Sequence, residues 1–436
     1  MQSLIARLKE EYVPGSVIAV AGPNFSGRTD ALDEAARVRS VFAPSTKTQQ
    51  VPMAYVGPEV YHSLSGLALT VRDELRLHAQ ADIENTPLIS MAENLGLIRL
   101  YHRSPFTLSG GEQACLAIVA GLALNPAVLA IDCAAEQIDP ELKRCLLNWL
   151  QADMFSQTVK LLADNRLSEC GRLGRVVHTD TSSHACPPSR PLPLRKVTAR
   201  DVFNDTHSVP CQLTLRGLRL TYPGGTTVLQ SANVILEPGK IYFLRGRVGA
   251  GKTTLAKILN GVLRPTAGEM HINGKSFQPW KEPGRVVSYH FQNPDLQLFS
   301  RSVQHEIETS ACAHSTNPAW RFWRRRHMST DEGRRIETAI TAFGLENIRH
   351  EHPMDLPFVI RKRVALAATI SASTPWIILD EPTLGQDHDT SKALIEIMLT
   401  LSRENIGVIV ISHSQWLSES LPHRRLLIHD GVLLEH

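Results

Sequence analysis

Short apolar runs recur along the chain, and stretches with helical periodicity separate them. The runs at residues 377–380 (IILD) and 408–412 (VIVIS) are continuous and rich in β-branched residues, which is typical of parallel strands covered on both faces. The run at 241–244 predicts another buried strand, and the apolar positions at 255–259 predict the first turns of a helix. This alternation predicts an α/β fold.

The same series of patterns occurs twice. Residues 13–30 (VPGSVIAVAGPNFSGRTD) match residues 237–254 (EPGKIYFLRGRVGAGKTT) in pattern. Further matching blocks follow in the same order, namely 53–60 with 288–295, 71–75 with 303–307, 125–139 with 374–387, and 159–165 with 408–414. We therefore expect a duplicated domain.

A stretch without periodicity separates the two copies. Residues 178–196 are rich in Ser and Pro, a composition typical of an extended, semi-rigid linker. We predict a first domain at residues 1–180, a linker at 181–210 and a second domain at 211–436.

Composition and charge narrow the range of functions. The net charge of +3 over 436 residues is too small to indicate a nucleic-acid binder by itself. The 7 cysteines form no C-x-x-C pair, which favours reduced thiols in the cytosol. The most apolar run, 116–131, is interrupted by Asn-Pro and is too short to span a bilayer, and the N-terminus lacks the apolar core of a signal peptide. We expect a cytoplasmic protein that acts at a membrane only through a partner.

Residues 246–254 (GRVGAGKTT) fit the phosphate-binding pattern G-x-x-x-x-G-K-[ST] between a predicted strand and a predicted helix. The glycines let the backbone fold around a polyphosphate, and the helix N-terminus points N–H groups toward it. Lys252 is expected to reach the outer phosphates, and the Thr253 hydroxyl to bind Mg²⁺. The alternative is a plain glycine turn. The residues assigned to nucleotide binding are Gly246, Gly249, Ala250, Gly251, Lys252, Thr253 and Thr254.

Further motifs resemble those of one family. LSGGEQ at 108–113 resembles the signature of ATP-binding cassette (ABC) ATPases, and LDEPT at 379–383 resembles their Walker B motif with its following glutamate. FQNPDLQLFSRSVQHEI at 291–307 is similar to the ATPases of energy-coupling factor (ECF) importers. The resemblance implies two fused P-loop ABC domains, each with a core sheet and a helical subdomain, that bind ATP with Mg²⁺ and hydrolyse it.

The resemblance also implies roles for individual residues of the second domain. Asp380 would hold Mg²⁺ together with Thr253 and Gln292, and Glu381 would polarise the attacking water. His413 resembles the switch histidine that contacts the γ-phosphate, so Glu381, His413 and Gln292 form the expected catalytic set. Simpler alternatives are an acidic pair at a strand end and a structural histidine.

Tyr222, in LTYPGG, stands where an ABC domain places an aromatic ring under adenine. The alternative is an aromatic residue that packs within a strand, which is common.

The second domain lacks a signature motif. Where LSGGEQ is expected, residues 356–361 read LPFVIR. Pro357 has no N–H group, and Phe358 and Val359 bring side chains where glycines would leave room for a phosphate. We expect that this loop does not cap ATP.

The first domain shows the opposite pattern. Its signature is intact, and the residues expected to face nucleotide are Ser109, Gly110, Gly111, Glu112 and Gln113. Its own nucleotide site is altered at positions where the family has Lys, Gln, Glu and His. The replacements are Arg28, Gly57, Cys133 and Asp164. Their occurrence in one site suggests that this site has lost hydrolysis.

ABC domains pair head to tail, with ATP between the P-loop of one and the signature of the other. Such pairing would join the intact P-loop at 246–254 to the intact signature at 108–113, and the altered loop at 22–29 to the altered loop at 356–361. This complementarity predicts that the two halves pair in cis around one competent site.

The resemblance implies an ATPase subunit on the inner face of the cell membrane. Its partners would be an integral membrane subunit and a substrate-capture membrane protein that import a vitamin or metal ion. The groove around Asp295 and Gln297 is the expected docking place, and the basic–aromatic segment 320–326 is either a solvated helix or a partner contact. The alternatives are a soluble ABC ATPase that acts on ribosomes or nucleic acid, and a nucleotide-dependent regulatory switch.

Overall fold

The computed structural model describes residues 16–21, 32, 53–79, 86–163, 175–178, 210–223, 225–247, 249–313 and 329–435. Four predicted features lie outside these residues. They are the loop at 22–29, Asp164, the segment at 320–326 and the linker at 181–210, of which only residue 210 is described. The chain divides into two units, residues 1–185 with 384–388 and residues 186–383 with 389–436.

The first unit contains, among its described residues, a five-stranded parallel sheet in the order β2-β3-β4-β1-β5. Its strands are β1 (Val17–Ala21), β2 (Met53–Val56), β3 (Val128–Asp132), β4 (Val159–Ala163) and β5 (Arg175–His178). Its helices are α1 (Val71–Ala79), α2 (Leu88–Asn94), α3 (Gly110–Ala123) and α4 (Pro140–Leu150). Helix α3 is buried along most of its length and packs against α1 and α2.

The second unit contains a ten-stranded sheet in the order β10-β9-β6-β7-β15-β14-β8-β13-β12-β11, again counted over described residues. Its strands are β6 (Leu213–Thr221), β7 (Thr227–Leu236), β8 (Ile241–Gly246), β9 (Ala267–Ile272), β10 (Lys275–Phe277), β11 (Val287–His290), β12 (Trp376–Asp380), β13 (Gly407–Ile411), β14 (Arg424–His429) and β15 (Val432–Glu435). Its helices are α5 (Lys252–Asn260), α6 (Val303–Ala311), α7 (Thr330–Ala342), α8 (Phe358–Ser371), α9 (His388–Arg403) and α10 (Gln415–Glu419).

The parallel parts of the two sheets have the same strand order. Strands β2, β3, β4, β1 and β5 correspond in sequence to β11, β12, β13, β8 and β14. The central strands β3, β4, β12 and β13 are buried at every residue, as their continuous apolar runs predict. The α/β fold is confirmed, and the shared order is what a duplicated domain requires.

The second unit also has an antiparallel layer that the apolar runs did not indicate. Strands β6, β7, β9 and β10 pair antiparallel at one end of its sheet. Strand β7 alternates buried and exposed residues, as expected when one face of an antiparallel strand meets solvent. Within the described ranges, no helix combines the length and the apolar character needed to cross a membrane.

Candidate active site

The phosphate loop joins the end of β8 to the start of α5. A Cβ atom on Gly246 would lie 2.7 Å from the carbonyl oxygen of Ile428, and Gly251 caps α5 with a φ of +103°, so both positions favour glycine. The Lys252 ammonium donates to the carbonyl oxygens of Gly246 (2.7 Å) and Arg247 (3.1 Å). The ammonium therefore lies on the loop itself, beside the helix N-terminus that offers N–H groups to an anion.

The predicted site residues follow the carboxyl ends of adjacent parallel strands. Leu244 in β8 is level with Ile411 in β13, which in turn is level with Asp380 in β12. His290, the last residue of β11, is level with Leu379. The segments that follow these four strands therefore meet at one edge of the sheet, which is where α/β proteins bind ligands.

Asp380 is the centre of a hydrogen-bonded cluster at this edge. Its Oδ2 atom accepts a hydrogen bond from the Tyr289 hydroxyl at 2.8 Å and another from the Thr253 hydroxyl at 3.2 Å. Burial raises the pKa of Asp380 to about 6, although both donors and the Lys362 charge act in the opposite direction. Tyr289 was not predicted as part of this cluster.

The donors present fit a magnesium ion. The Thr253 hydroxyl and the Asp380 carboxylate are the hard oxygen ligands that Mg²⁺ prefers, and they lie within 3.2 Å of each other. An ionised carboxylate this deeply buried also requires a compensating cation. The side chain of Gln292 makes no hydrogen bond with Thr253 or Asp380 among the described residues, so its place as a metal ligand stays a prediction.

Glu381 lies beside Asp380 in a left-handed backbone conformation, with a φ of +46°. Its N–H donates to the carbonyl oxygen of Ile411 at 2.8 Å, which joins it to β13. Its carboxylate accepts hydrogen bonds from the Ser412 hydroxyl (2.7 Å) and the His413 backbone N–H (2.8 Å). The structure thus brings the predicted base and the predicted switch histidine together, and non-glycine residues in this conformation concentrate at functional sites.

Tyr222 lies at the other side of the phosphate loop. It precedes the turn between β6 and β7, and its hydroxyl is 3.4 Å from the Thr254 hydroxyl oxygen. Its side chain is partly exposed. The hydroxyl contact places this side chain next to the first turn of α5, as a base-stacking role requires. Gly249 and Ala250 form the turn just before Gly251.

The first unit has the same scaffold with different chemistry. The Tyr55 hydroxyl donates to Asp132 Oδ2 at 3.2 Å. Cys133 adopts the left-handed conformation with a φ of +54°, and its N–H donates to the carbonyl oxygen of Ala163 at 3.0 Å. Cys133 therefore occupies the backbone position of Glu381, as predicted from the sequence, and it carries a thiol there instead of a carboxylate.

The strand registers correct the predicted counterpart of Gln292. Val56 is level with Ile131, one residue before Asp132, just as His290 is level with the residue before Asp380. The counterpart of Gln292 is therefore Pro58, and Gly57 precedes it by one position. Matching by sequence alone slipped by one residue because β2 and β11 share little besides their tyrosine. Proline, like glycine, supplies no amide side chain.

The signature motif forms the start of α3. Ser109 is the N-cap of a capping box: its hydroxyl oxygen accepts from the Glu112 N–H, and its own N–H donates to the Glu112 carboxylate, as does its hydroxyl. Gln113 Nε2 donates to the carbonyl oxygen of Pro105 at 3.0 Å. Gly110 and Gly111 supply the first turn without side chains, so this helix N-terminus can be approached by an anion.

The corresponding loop of the second unit is closed by apolar packing. Pro357 is the N-cap of α8 and offers no side-chain hydrogen bond, while Phe358 and Ile360 are buried. Arg361 Nε forms an ion pair with Asp295 Oδ1 at 2.7 Å. The start of α8 therefore lacks both the open glycines and the hydroxyl of the start of α3.

Asp295 and Gln297, which were predicted to line the docking groove, hold the loop after β11 to helix α8. Asp295 is engaged by Arg361, and Gln297 Nε2 donates to the Thr369 hydroxyl (2.8 Å) and the Ala365 carbonyl oxygen (3.1 Å). The exposed side chains of this loop are those of Leu296 and Phe299, which are 70% and 76% exposed. An exposed apolar patch at these two residues was not predicted from the sequence, although apolar residues in a polar loop are a signal for one.

Comparisons with known proteins show which family the chain resembles. A family model described as ABC transporter matches residues 229–384. A putative ABC transporter ATP-binding protein of Caldanaerobacter subterraneus is 32% identical over 222 residues, which are 50% of this chain and 37% of the relative. The energy-coupling factor transporter ATP-binding protein EcfA of Methanothermobacter thermautotrophicus is 32% identical over 225 residues, 50% of this chain and 68% of that protein.

A third relative matches most of the chain. A putative ABC transporter ATP-binding protein of Bacillus cereus is 23% identical over 428 residues, which cover 84% of this chain and 73% of the relative. The chain thus spans only about a third of the Caldanaerobacter protein but well over half of the other two.

Proposed function

Because the chain belongs to the family of ABC transporter ATP-binding proteins and is an ATPase that uses ATP with Mg²⁺, we propose that it powers uptake of a vitamin or metal ion through a membrane partner. The similarity to two proteins named as energy-coupling factor transporter subunits supports an importer of this type. The observation that carries the ATPase mechanism is the cluster of Thr253, Asp380 and Glu381 at the strand ends.

In this mechanism Lys252 and the N–H groups of α5 bind the outer phosphates of ATP. Thr253 and Asp380, with Gln292, would hold Mg²⁺, which neutralises charge on the phosphates. Glu381 accepts a hydrogen bond from the attacking water. Each of its carboxylate oxygens accepts one bond, from Ser412 or from His413, and each oxygen keeps a further lone pair for the water.

We place hydrolysis in one composite site. The loop at 246–254 would bind ATP on one side, and Ser109 to Gln113 of the other half would cap the γ-phosphate. The second composite site, from 22–29 and 356–361, would not hydrolyse, because Cys133 and Pro357 remove its base and its capping hydroxyl. Closure around ATP and reopening after hydrolysis would be the mechanical output.

Each half presents exposed apolar side chains in the segment that joins its strand β2 or β11 to the next helix. In the second unit these are Leu296 and Phe299, and in the first unit they are Leu67 and Leu69, which are 81% and 82% exposed. Exposed leucine and phenylalanine side chains of this kind favour contact with a partner protein. Two similar patches suit a membrane subunit that engages both halves.

Each of the two apolar patches is held by a buried glutamate of its own unit. Glu306 accepts the N–H groups of Phe299 (3.0 Å) and Ser300 (2.7 Å), and Glu74 accepts the N–H and hydroxyl of Ser65, each at 2.6 Å. Charge-assisted bonds of this type are stronger than neutral ones. They hold the exposed residues in a defined position, as a force-transmitting contact requires.

The experiment is purification of the tagged full-length chain from detergent-solubilised membranes of its own cells. We expect a complex with an integral membrane protein, and the variant pairs Leu296→Asp/Phe299→Asp and Leu67→Asp/Leu69→Asp should each reduce its yield at least about tenfold, because a buried charge without a partner opposes binding. Ile235→Asp changes an exposed apolar residue elsewhere and is the matched control. Equal yields from all variants, or a wild-type chain that never reaches the membrane fraction, would contradict the proposal.

A further inference from the structure

A buried lysine contacts the backbone of Gln292 in the second unit. Lys362, the fifth residue of α8, is 0% exposed, whereas lysine side chains are almost never fully buried. Its Nζ atom donates to the main-chain carbonyl oxygen of Gln292 at 2.9 Å and lies 5.8 Å from the centre of the Phe358 ring. Burial of an ammonium group costs free energy, and here the buried ammonium is bonded to the residue that is assigned to the metal site.

A second polar side chain accompanies it. His290, at the end of β11, is also 0% exposed, and neither ring nitrogen has a hydrogen-bond partner within the described ranges. Burial and the Lys362 charge lower the pKa of His290 well below its ordinary value, so its ring stays neutral beside the ammonium. The second unit thus places two polar groups in a part of the core that apolar residues could fill.

The first unit fills the same two positions with apolar residues. The strand registers place Val56 at the position of His290, and Ala114 is the fifth residue of α3 as Lys362 is of α8. Both replacements are buried. The fold therefore needs neither polar group, and the unit that lacks them is also the unit in which Pro58 replaces Gln292.

We propose that Lys362 is a positioning residue for Gln292. Its ammonium fixes the main-chain carbonyl group of Gln292. This bond sets the direction in which the amide side chain of Gln292 leaves the backbone after β11, toward the metal site. Because Lys362 belongs to α8, the same bond transmits movements of the helix to the glutamine. The proposal rests on the assigned role of Gln292 in the hydrolytic site.

Lys362→Met removes the ammonium and keeps most of the volume. We expect the turnover number of the full-length chain to fall about tenfold, which corresponds to loss of about 1.4 kcal/mol of transition-state stabilisation. The KM for ATP should change less than about twofold. The melting temperature should not fall, because an apolar residue replaces a buried charge. Lys362→Arg, which retains a donor, should recover at least half of the lost turnover.

Lys160→Met is the matched control. Lys160 is 1% exposed in β4 of the first unit, and its Nζ donates to the carbonyl oxygen of Phe155 at 2.6 Å. The control removes the same kind of buried bond away from the hydrolytic site. Hydrogen–deuterium exchange in the nucleotide-free protein should increase severalfold over residues 288–298 in Lys362→Met and stay unchanged there in Lys160→Met.

A double-mutant cycle with Gln292→Ala decides whether Lys362 acts through Gln292. In the Gln292→Ala background, Lys362→Met should lower the turnover number by less than about twofold. An equal loss in both backgrounds, unchanged exchange over 288–298, or a Lys362→Arg variant as slow as Lys362→Met would overturn the proposal for Lys362 alone. Full turnover in Gln292→Ala would remove the assigned role of the glutamine, and the present proposal with it.

Discussion

The two halves of this chain share a parallel sheet but differ in what its carboxyl edge carries. In each half a tyrosine hydroxyl donates to the aspartate at the end of a central strand, through Tyr55 and Asp132 in one and Tyr289 and Asp380 in the other. The next residue is left-handed in both, although it is a cysteine in the first half and Glu381 in the second. The same backbone therefore persists where the carboxylate is absent.

This comparison separates the fold from its chemistry. The left-handed conformation after the aspartate is strained for any residue with a Cβ atom, yet Cys133 adopts it as Glu381 does. In both halves the N–H of this residue donates to the last residue of the neighbouring strand, so the conformation belongs to the backbone at the strand end and is independent of the carboxylate. By contrast, the half without a glutamine at the matching position has buried Val56 and Ala114 where the other half has buried His290 and Lys362.

Glu381→Gln should produce the largest difference between the halves. The amide keeps the size of the carboxylate and can still accept a hydrogen bond from Ser412 or His413, but it is a poor base for water. Turnover should fall by a factor on the order of 10²–10⁴, while ATP binding persists in an equilibrium binding assay. Cys133→Ser changes the matching residue of the first half and should alter turnover less than about twofold. Normal turnover in Glu381→Gln would remove the role assigned to this carboxylate.

Ser109→Arg tests whether the halves form one composite site in cis. The change adds a long side chain at the N-terminus of α3 and removes its cap, so we expect turnover to fall on the order of 100-fold, as when one preorganised donor is lost. Pro357→Arg places the same side chain at the matching N-cap of α8, where no hydrolysis is expected, and should have little effect. Melting curves for both variants control for the lost cap, which contributes about 1 kcal/mol. Equal turnover in the two variants would contradict the cis model.

Sequence patterns were sufficient where the signal is local. The continuous runs that became β12 and β13, and the glycines of the phosphate loop, depend on residues close together in the chain. The match between Cys133 of the first half and Glu381 of the second half likewise followed from the aspartate that precedes each of them.

Sequence patterns failed where the outcome depends on long-range register or packing. The slip between Gly57 and Pro58 could be corrected only by knowing which residues of β2 and β3 lie level. Burial of Lys362 depends on how α8 packs on β11, and a lysine in a helix otherwise predicts a solvated side chain. The exposure of Phe299 likewise depends on the bonds that hold its loop to Glu306.

Tyr289→Phe should show the smallest effect, in metal binding. The hydroxyl donates to Asp380 Oδ2 at 2.8 Å, which lowers the pKa of Asp380 and so favours the ionised carboxylate that binds Mg²⁺. We therefore expect the half-saturating Mg²⁺ concentration for binding of a fluorescent ATP analogue to rise about tenfold, since each tenfold change corresponds to about 1.4 kcal/mol. Tyr55→Phe removes the equivalent bond to Asp132 at 3.2 Å and should leave Mg²⁺ dependence unchanged. An equal shift in both variants would show that the first half also holds a metal, and the contrast between the two strand edges would then lie in the base alone.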